Sequence, residues 1–133
     1  MKKYILTFAV ILLVAGIAFV SLSNGKSKTI KAGGILSVND IQADPSAYKG
    51  TITINGVMAG VSRQDPKVFA IIETSEAILC KQTGCARFYL PVRYEGTAPK
   101  VWDEVNVTGS FVDGGRVFAA TKMDVLRQLF GGK

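Results

Sequence analysis

An uncharged apolar run opens this chain and divides it into two parts that need different surroundings. Tyr4 to Leu22 contains no charged residue and directly follows Lys2 and Lys3. A run of about 20 such residues is long enough to cross a bilayer as one helix. Residues 1–23 are therefore predicted to form a signal anchor, a transmembrane helix, with a cleaved signal peptide as the alternative.

The residues after the run are predicted to form one small domain outside the cell inner membrane. Residues 24–34, rich in glycine, serine and lysine, are a flexible tether, residues 35–126 the domain and residues 127–133 a tail. Lysines lie on both sides of the apolar run, so charge alone does not orient it. Two cysteines lie beyond the run, and cysteine pairs persist in oxidising compartments. The prediction is a single-pass protein whose domain lies on the periplasmic, extracytoplasmic side.

The complete absence of histidine limits the chemistry that this domain can perform. Imidazole is the usual general base, a member of the Ser-His-Asp arrangement and a ligand in most catalytic zinc sites. About 100 residues also leave room for only one modest core. The 16 basic and 10 acidic residues give a net charge of +6 without any long basic run in the domain. The sequence predicts a non-enzymatic domain with no metal site.

Helix signals precede the strands. Ser37 is a suitable N-cap, and Asp40 follows three positions later, as in a capping box. The residue before a proline avoids the helical region, so Asp44 before Pro45 limits this helix to one or two turns.

The first strand, predicted over Thr51 to Val61, changes the phase of its apolar residues. Ile52 and Ile54 alternate on even positions, whereas Val57, Ala59 and Val61 alternate on odd ones. A shift of one residue moves every side chain to the other face of a sheet. The pattern therefore predicts a β-bulge at Asn55-Gly56, in a long strand shared by two halves of a curled sheet.

Four further strands follow at short intervals. They are predicted at Val68 to Ile72, Arg87 to Arg93, Val105 to Phe111 and Val117 to Val125, with a tight turn at Asp113-Gly114-Gly115. Five strands with a bulged first strand indicate an all-β fold. The predicted architecture is a five-stranded OB-type barrel, preceded by a short helix and an N-terminal transmembrane helix.

Several motifs of the chain resemble bacterial OB-fold domains of two related kinds. The motifs are Pro-x-x-Tyr-x-Gly from Pro45, Asn-Gly-Val from Asn55, Val-Arg-Tyr-Glu-Gly-x-x-Pro from Val92 and Val-x-Val-x-Gly-x-Phe from Val105. One kind is the anchored periplasmic haem chaperone of cytochrome c maturation, and the other is the anticodon-binding type. The resemblance implies the fold and a role beside envelope partners in cytochrome c or haem handling.

The chain departs from the chaperone family at the haem site. That family attaches haem through a histidine in a His-x-x-x-Tyr motif after the last strand, and this chain has no histidine. In some proteins that resemble this family, a cysteine takes the place of that histidine. Cys85 and Tyr89 have this spacing, although they lie before and within the third predicted strand, where an offset of four places both on one face. No cofactor is predicted, and haem held by Cys85 and Tyr89 is the alternative that the resemblance implies.

Cys80 and Cys85 enclose a polar, glycine-containing turn between the second and third predicted strands. Outside the cytosol such a pair forms a disulfide across facing hairpin positions. A loop this short contributes about 2 kcal/mol by chain entropy. A redox-active dithiol is the alternative reading, although such dithiols generally use a two-residue spacer at a helix start.

OB-type barrels bind ligands on the second and third strands and on the loops beside them. In this chain that face is predicted to carry Arg63, Lys67, Arg87, Tyr89, Arg93 and Arg116. The sequence therefore favours a binding or assembly module with an envelope protein partner. A thiol-disulfide redox protein and a single-stranded nucleic-acid binder on this face are the alternatives. Nucleic acid is disfavoured as a partner because Tyr89 is the one clearly placed aromatic residue.

Overall fold

The computed structural model describes residues 34–44 and 47–131, and nearly half of them lie in β-strands. The regular elements, in chain order, are β1 (Ile35–Ser37), α1 (Val38–Ala43), β2 (Ile52–Val61), β3 (Val68–Ile72), α2 (Thr74–Cys80), β4 (Leu90–Tyr94), β5 (Asp103–Val112) and β6 (Val117–Gln128). Single 3₁₀ turns lie at Thr83–Cys85 and Asp113–Gly115.

The five strands β2 to β6 close into a barrel. Around the barrel, β2 pairs with β3, β3 with β4, β4 with β6, β6 with β5, and β5 with β2. All these pairs are antiparallel except β4 with β6, which is parallel. A closed five-stranded barrel in which the chain skips a neighbour in this way is an OB-type fold. The predicted fold class is confirmed for the barrel and the short helix, and the fold part of the resemblance is confirmed with it.

A sixth strand, β1, was not predicted. It pairs in parallel with the first half of β2, from Ile35 opposite Thr53 to Ser37 opposite Asn55. On the same edge, β3 covers the second half of β2 from Val57 onward. Three residues are too few to produce a recognisable alternation, so β1 is defined by its partner rather than by its own sequence.

The predicted bulge at Asn55-Gly56 is wrong. The ladder between β2 and β5 runs without interruption from Ile52 to Val57, and the irregularity of β2 lies between Met58 and Gly60, opposite β3. Gly56 serves close packing instead, because a Cβ there would lie 2.9 Å from the carbonyl oxygen of Ile72.

Two separate cores explain the phase change that suggested the bulge. Ile52, Ile54 and Met58 point into the main core inside the barrel. Val57 packs outside the barrel with Ile72 and Ala77 in a second, smaller cluster, against which Trp102 and Leu129 also lie. The middle of β2 is therefore buried on both faces, which produces apolar residues on both odd and even positions without any slip.

Both α-helices in the described part of the chain are short, and the sequence identified only the first. In α1, the Ser37 hydroxyl accepts from the Asp40 amide at 3.2 Å, and the Asp40 carboxylate accepts from the Ser37 amide at 2.9 Å. The predicted capping box is confirmed. In α2 the N-cap residue Glu73 makes no side-chain cap, and the helix is held by burying Ala77 on the outer cluster. That stabilisation comes from tertiary packing, which a local pattern does not reveal.

Two predicted strand limits are each wrong by three residues. The third barrel strand, β4, begins at Leu90, so Arg87 and Tyr89 lie in the segment before it. The last strand, β6, continues to Gln128 rather than ending at Val125, so the first residues of the predicted tail belong to the barrel. Register with β5 requires this length, since Gln128 pairs with Asp103 at the start of that strand.

The predicted membrane anchor, residues 1–23, and nearly all of the tether, residues 24–34, lie outside the described residues. Within residues 34–44 and 47–131, no helix has both the length and the apolar character that a bilayer-spanning segment needs.

Candidate functional site

The predicted ligand-binding residues are only partly brought together. Arg63 and Lys67 lie between β2 and β3, and Arg93 lies on β4 directly opposite Val68. The Tyr94 amide donates to the Lys67 carbonyl at 3.0 Å, which ties this loop to β4. Arg116 belongs to a different loop, between β5 and β6.

Carboxylates pair with three of the predicted cations. Lys67 binds Glu95, Arg93 lies 3.7 Å from Asp65, and Arg87 lies 3.7 Å from Glu76. Glu95 accepts a hydrogen bond from Lys67 and attracts its charge, which together raise the pKa of Lys67 above its ordinary value. Such pairs lower the positive potential of the face, so a basic track for a polyanion is poorly developed here.

A groove that the sequence analysis missed lies on the outer face of β2, β3 and β4. It has a volume of about 540 Å³, within the range of ligand sites. Gly60, Ala70 and Pro91 lie side by side across the three strands and contribute to its lining. The remaining lining residues are Ala59, Val61, Ser62, Val68, Phe69, Thr83, Gly84 and Tyr89. We call this site the Tyr89 groove.

Small residues create the Tyr89 groove. Phe69, Ile71, Leu90 and Val92 are buried in the main core, so the residues that alternate with them face outward. Those outward positions are occupied by Ala70 and Pro91, and their small side chains leave a depression in the surface of the sheet. Small outward-facing residues on neighbouring strands would have indicated the groove. They can be recognised as neighbours only when the register of the strands is known.

Tyr89 is the exposed aromatic side chain of the groove, at 39% exposure, whereas Phe69 is buried in the main core. Its hydroxyl donates a hydrogen bond to the Thr83 carbonyl oxygen at 2.6 Å. This bond joins the ring to the 3₁₀ turn, and together they form one wall of the groove. Because the hydroxyl is already engaged, the part of Tyr89 offered to a ligand is the apolar ring.

Cys80 and Cys85 are joined as a disulfide, with Cα atoms 6.6 Å apart. They do not occupy facing hairpin strands as predicted: Cys80 ends α2 and Cys85 ends the 3₁₀ turn. The prediction that Cys85 and Tyr89 share one strand face is also wrong, because both precede β4. A cysteine engaged in a disulfide has no thiol with which to attach haem.

The position of the cysteines bears on the redox alternative. Reactive dithiols lie at helix N-termini, where the positive end of the helix dipole stabilises a thiolate. Cys80 lies at the C-terminal end of α2, the opposite end of that dipole. Across residues 34–44 and 47–131, no group of three or more acidic or cysteine side chains is placed to hold a metal ion.

Comparison with known proteins identifies no relative by sequence. No protein-family model matches the chain, and no curated protein matches it. Among solved structures, the telomere capping protein Ten1 from Saccharomyces pombe is similar, with a TM-score of 0.44 and 9% identity over 68% of this chain and 78% of that chain. A likeness at this level carries no information on the ligand of this chain.

Proposed function

We propose that this protein is a non-catalytic binding module that holds an extended, apolar segment of an envelope protein partner in the Tyr89 groove. In this proposal residues 1–23 anchor the module in the inner membrane and the barrel works on the periplasmic side. The observation that carries the proposal is the groove itself, an open site of about 540 Å³ on the ligand-binding face of an OB-type barrel.

The lining of the groove favours an apolar segment of peptide. Alanine, valine and proline account for five of the eleven lining residues, and burying apolar ligand atoms against them is favourable. Ser62 and Thr83 add hydroxyl groups at its edges, which suit the backbone amides and carbonyls of an extended chain.

The rim favours a partner with a carboxylate beside its apolar residues. Arg93 lies two positions from Pro91 on the same strand face and opposite Val68, and both of those neighbours line the groove. Its pair with Asp65 is long, 3.7 Å, and both side chains are at least 40% exposed. Exposed pairs of this kind contribute about 0–1 kcal/mol, so a ligand carboxylate can replace Asp65 as the partner of Arg93.

The alternatives fit the site less well. Single-stranded nucleic acid needs several stacking aromatic rings on a basic track, whereas this groove has one exposed ring, and the neighbouring Lys67 and Arg93 are paired with carboxylates. Haem is not the proposed ligand, because the two cysteine sulfurs are bonded to each other. A partner from cytochrome c assembly remains compatible with the proposal, as a protein that presents such a segment.

Fluorescence anisotropy with three labelled peptides tests the proposal on the purified full chain. Each peptide carries a Leu-Pro-Val core within Gly-Ser spacers, flanked by Asp, Ser or Lys. The acid-flanked peptide is expected to bind most tightly and the Lys-flanked peptide least. A labelled oligothymidine of similar length serves as the nucleic-acid probe, and its tighter binding would contradict the proposal.

Two alanine-to-tryptophan substitutions separate the groove from the rest of the surface. Ala70→Trp fills the groove and is expected to abolish peptide binding. Ala43→Trp introduces the same ring at the exposed end of α1, outside the groove, and is expected to leave binding unchanged. Tyr89→Ala provides a second groove variant, and circular dichroism verifies that each variant is folded. Equal binding by Ala70→Trp and the unaltered chain would place the site elsewhere.

A further inference from the structure

The disulfide and the Tyr89 groove share one short piece of chain. Thr83 and Gly84, which line the groove, are two of the four residues between Cys80 and Cys85. The bond therefore closes a loop whose middle is one wall of the proposed binding site.

Few hydrogen bonds hold this wall among the described residues. Thr83 accepts the hydrogen bond from Tyr89 at 2.6 Å. On either side, the chain is anchored where Ala77 is buried and where the Arg87 amide donates to Glu76 at 3.1 Å. Between those anchors, the disulfide is the covalent restraint on the turn.

The backbone next to Cys80 also shows that the loop is held in a demanding conformation. Lys81 has a φ of 54° and lies in the left-handed region, which residues other than glycine seldom adopt. Its amide donates to the Ala77 carbonyl at 3.0 Å and so ends α2. A non-glycine residue persists in this conformation when its surroundings restrain it, and the adjoining disulfide is such a restraint.

The disulfide is accessible to a reaction partner. Cys80, Cys85, Lys81 and Gln82 are all exposed. The described residues contain no free cysteine that could exchange with this disulfide. Reduction therefore requires an external thiol that approaches from solvent.

We propose that the Cys80–Cys85 disulfide controls the Tyr89 groove: the oxidised pair holds the Thr83–Gly84 wall against Tyr89 for ligand binding, and reduction releases the wall and the ligand. This inference rests on the proposed function of the groove.

The chemistry is a two-electron exchange with a protein dithiol. One thiolate of the dithiol attacks a sulfur of the pair, the Cys80–Cys85 bond breaks, and a mixed disulfide forms. The second thiol of the reductant attacks that mixed disulfide. The products are two protonated cysteines on this chain and one disulfide on the reductant, so electrons and protons balance.

Binding of the acid-flanked peptide to the oxidised full chain, and to the same chain reduced with dithiothreitol, tests the inference. If the wall is ordered in about a tenth of the reduced molecules, affinity falls roughly tenfold on reduction. The double variant Cys80→Ser with Cys85→Ser is expected to bind as weakly as the reduced chain, and its affinity should not change when dithiothreitol is added. Reoxidation of the unaltered chain should restore its affinity.

The outcomes separate the two proposals. If the oxidised chain does not bind the peptide, the proposed function fails. If oxidised and reduced chains bind equally, the groove stands and control by the disulfide is wrong. Hydrogen exchange gives the structural readout: faster exchange confined to residues 81–86 supports the inference. Loss of cooperative unfolding in the reduced chain would overturn it, because the disulfide would then hold the whole domain.

A variant that leaves both cysteines in place provides an independent arm. Tyr89→Phe removes the hydroxyl bond to Thr83 but keeps the ring and the disulfide. It is expected to weaken peptide binding in the oxidised chain and to speed exchange at the Thr83 turn. If Tyr89→Phe changes neither, Tyr89 does not position this wall, and the inference fails even where the serine double variant does not fold.

Discussion

Arg127 donates from its Nε to Oε2 of Glu104 at 2.6 Å and is the ion-pair partner of a carboxylate that the barrel nearly encloses. The side chain of Glu104 is 11% exposed, whereas that of Arg127 is 61% exposed. The two residues face each other in the register of β5 and β6, next to the irregularity that follows Glu104. The pair thus joins the start of β5 to the end of β6.

Loss of the arginine from this pair should destabilise the barrel. We expect Arg127→Ala to lower the free energy of unfolding by about 1–2 kcal/mol, because Glu104 would keep its burial and lose its hydrogen bond. Urea denaturation measures the change. Arg116→Ala is the control, since Arg116 is exposed and makes no ion pair with any carboxylate in residues 34–44 and 47–131. Equal effects of the two substitutions would show that the pair contributes nothing specific.

Gly109 is predicted to be intolerant of even one methyl group. A Cβ at this position would lie 1.9 Å from the Ala119 carbonyl oxygen of the neighbouring strand β6. Gly109→Ala should therefore cost about 2–4 kcal/mol of unfolding free energy through overpacking against rigid backbone. At Gly60 a Cβ would have nothing within 4 Å, so Gly60→Ala should leave stability equal or raise it by up to about 1 kcal/mol. Thermal melts of both variants measure these changes in stability. A small loss of stability in Gly109→Ala would mean that the two strands can move apart there.

Phe130 is expected to protect the only tryptophan of the chain from water. The rings of Trp102 and Phe130 lie edge to face with centroids 5.0 Å apart. Phe130→Ala should shift the tryptophan emission to longer wavelength and lower stability by about 1–2 kcal/mol, from lost burial and the lost aromatic pair. Leu126→Ala, at an exposed position on β6, should change neither quantity appreciably. An unchanged emission maximum in Phe130→Ala would contradict the ring contact.

Glu95 should control the titration of Lys67. The hydrogen bond and charge of Glu95 raise the pKa of Lys67, so their stabilising effect is complete below the ordinary lysine pKa and is lost as the pH rises through the raised value. Glu95→Gln is expected to lower the pKa of Lys67 toward its ordinary value, measured by NMR of its side chain in the alkaline range. Glu76→Gln alters the pair with Arg87 instead, and should leave the raised pKa of Lys67 unchanged. A raised Lys67 pKa in Glu95→Gln would require another cause.

Features that depend on residues close in sequence could be predicted. The capping box of Ser37 and Asp40, the strand Val68–Ile72 and the turn at Asp113–Gly115 agree with their predictions because each is specified by neighbouring residues. The barrel itself followed from the number and spacing of such strands.

Apart from Tyr89, the residues of the candidate site could not be predicted, because the groove forms where side chains are small and not where a motif is present. Gly60, Ala70 and Pro91 carry no chemistry that a motif would show, and they form a groove only in the observed register. The charged residues were easier to identify in the sequence, yet their pairing with Asp65, Glu76 and Glu95 depends on where the loops lie. A search for charge therefore found the face but not the site.

Sequence alone determined that this chain forms a small barrel of short strands, lacks imidazole chemistry and carries two cysteines close enough to pair. Tertiary structure decided that β2 is buried on both faces, that α2 forms over Ala77, and that the turn between the cysteines is a wall of the Tyr89 groove. The physical reason is that periodicity reports whether a residue is buried but not against what. Only the closure of the barrel brings the distant segments together.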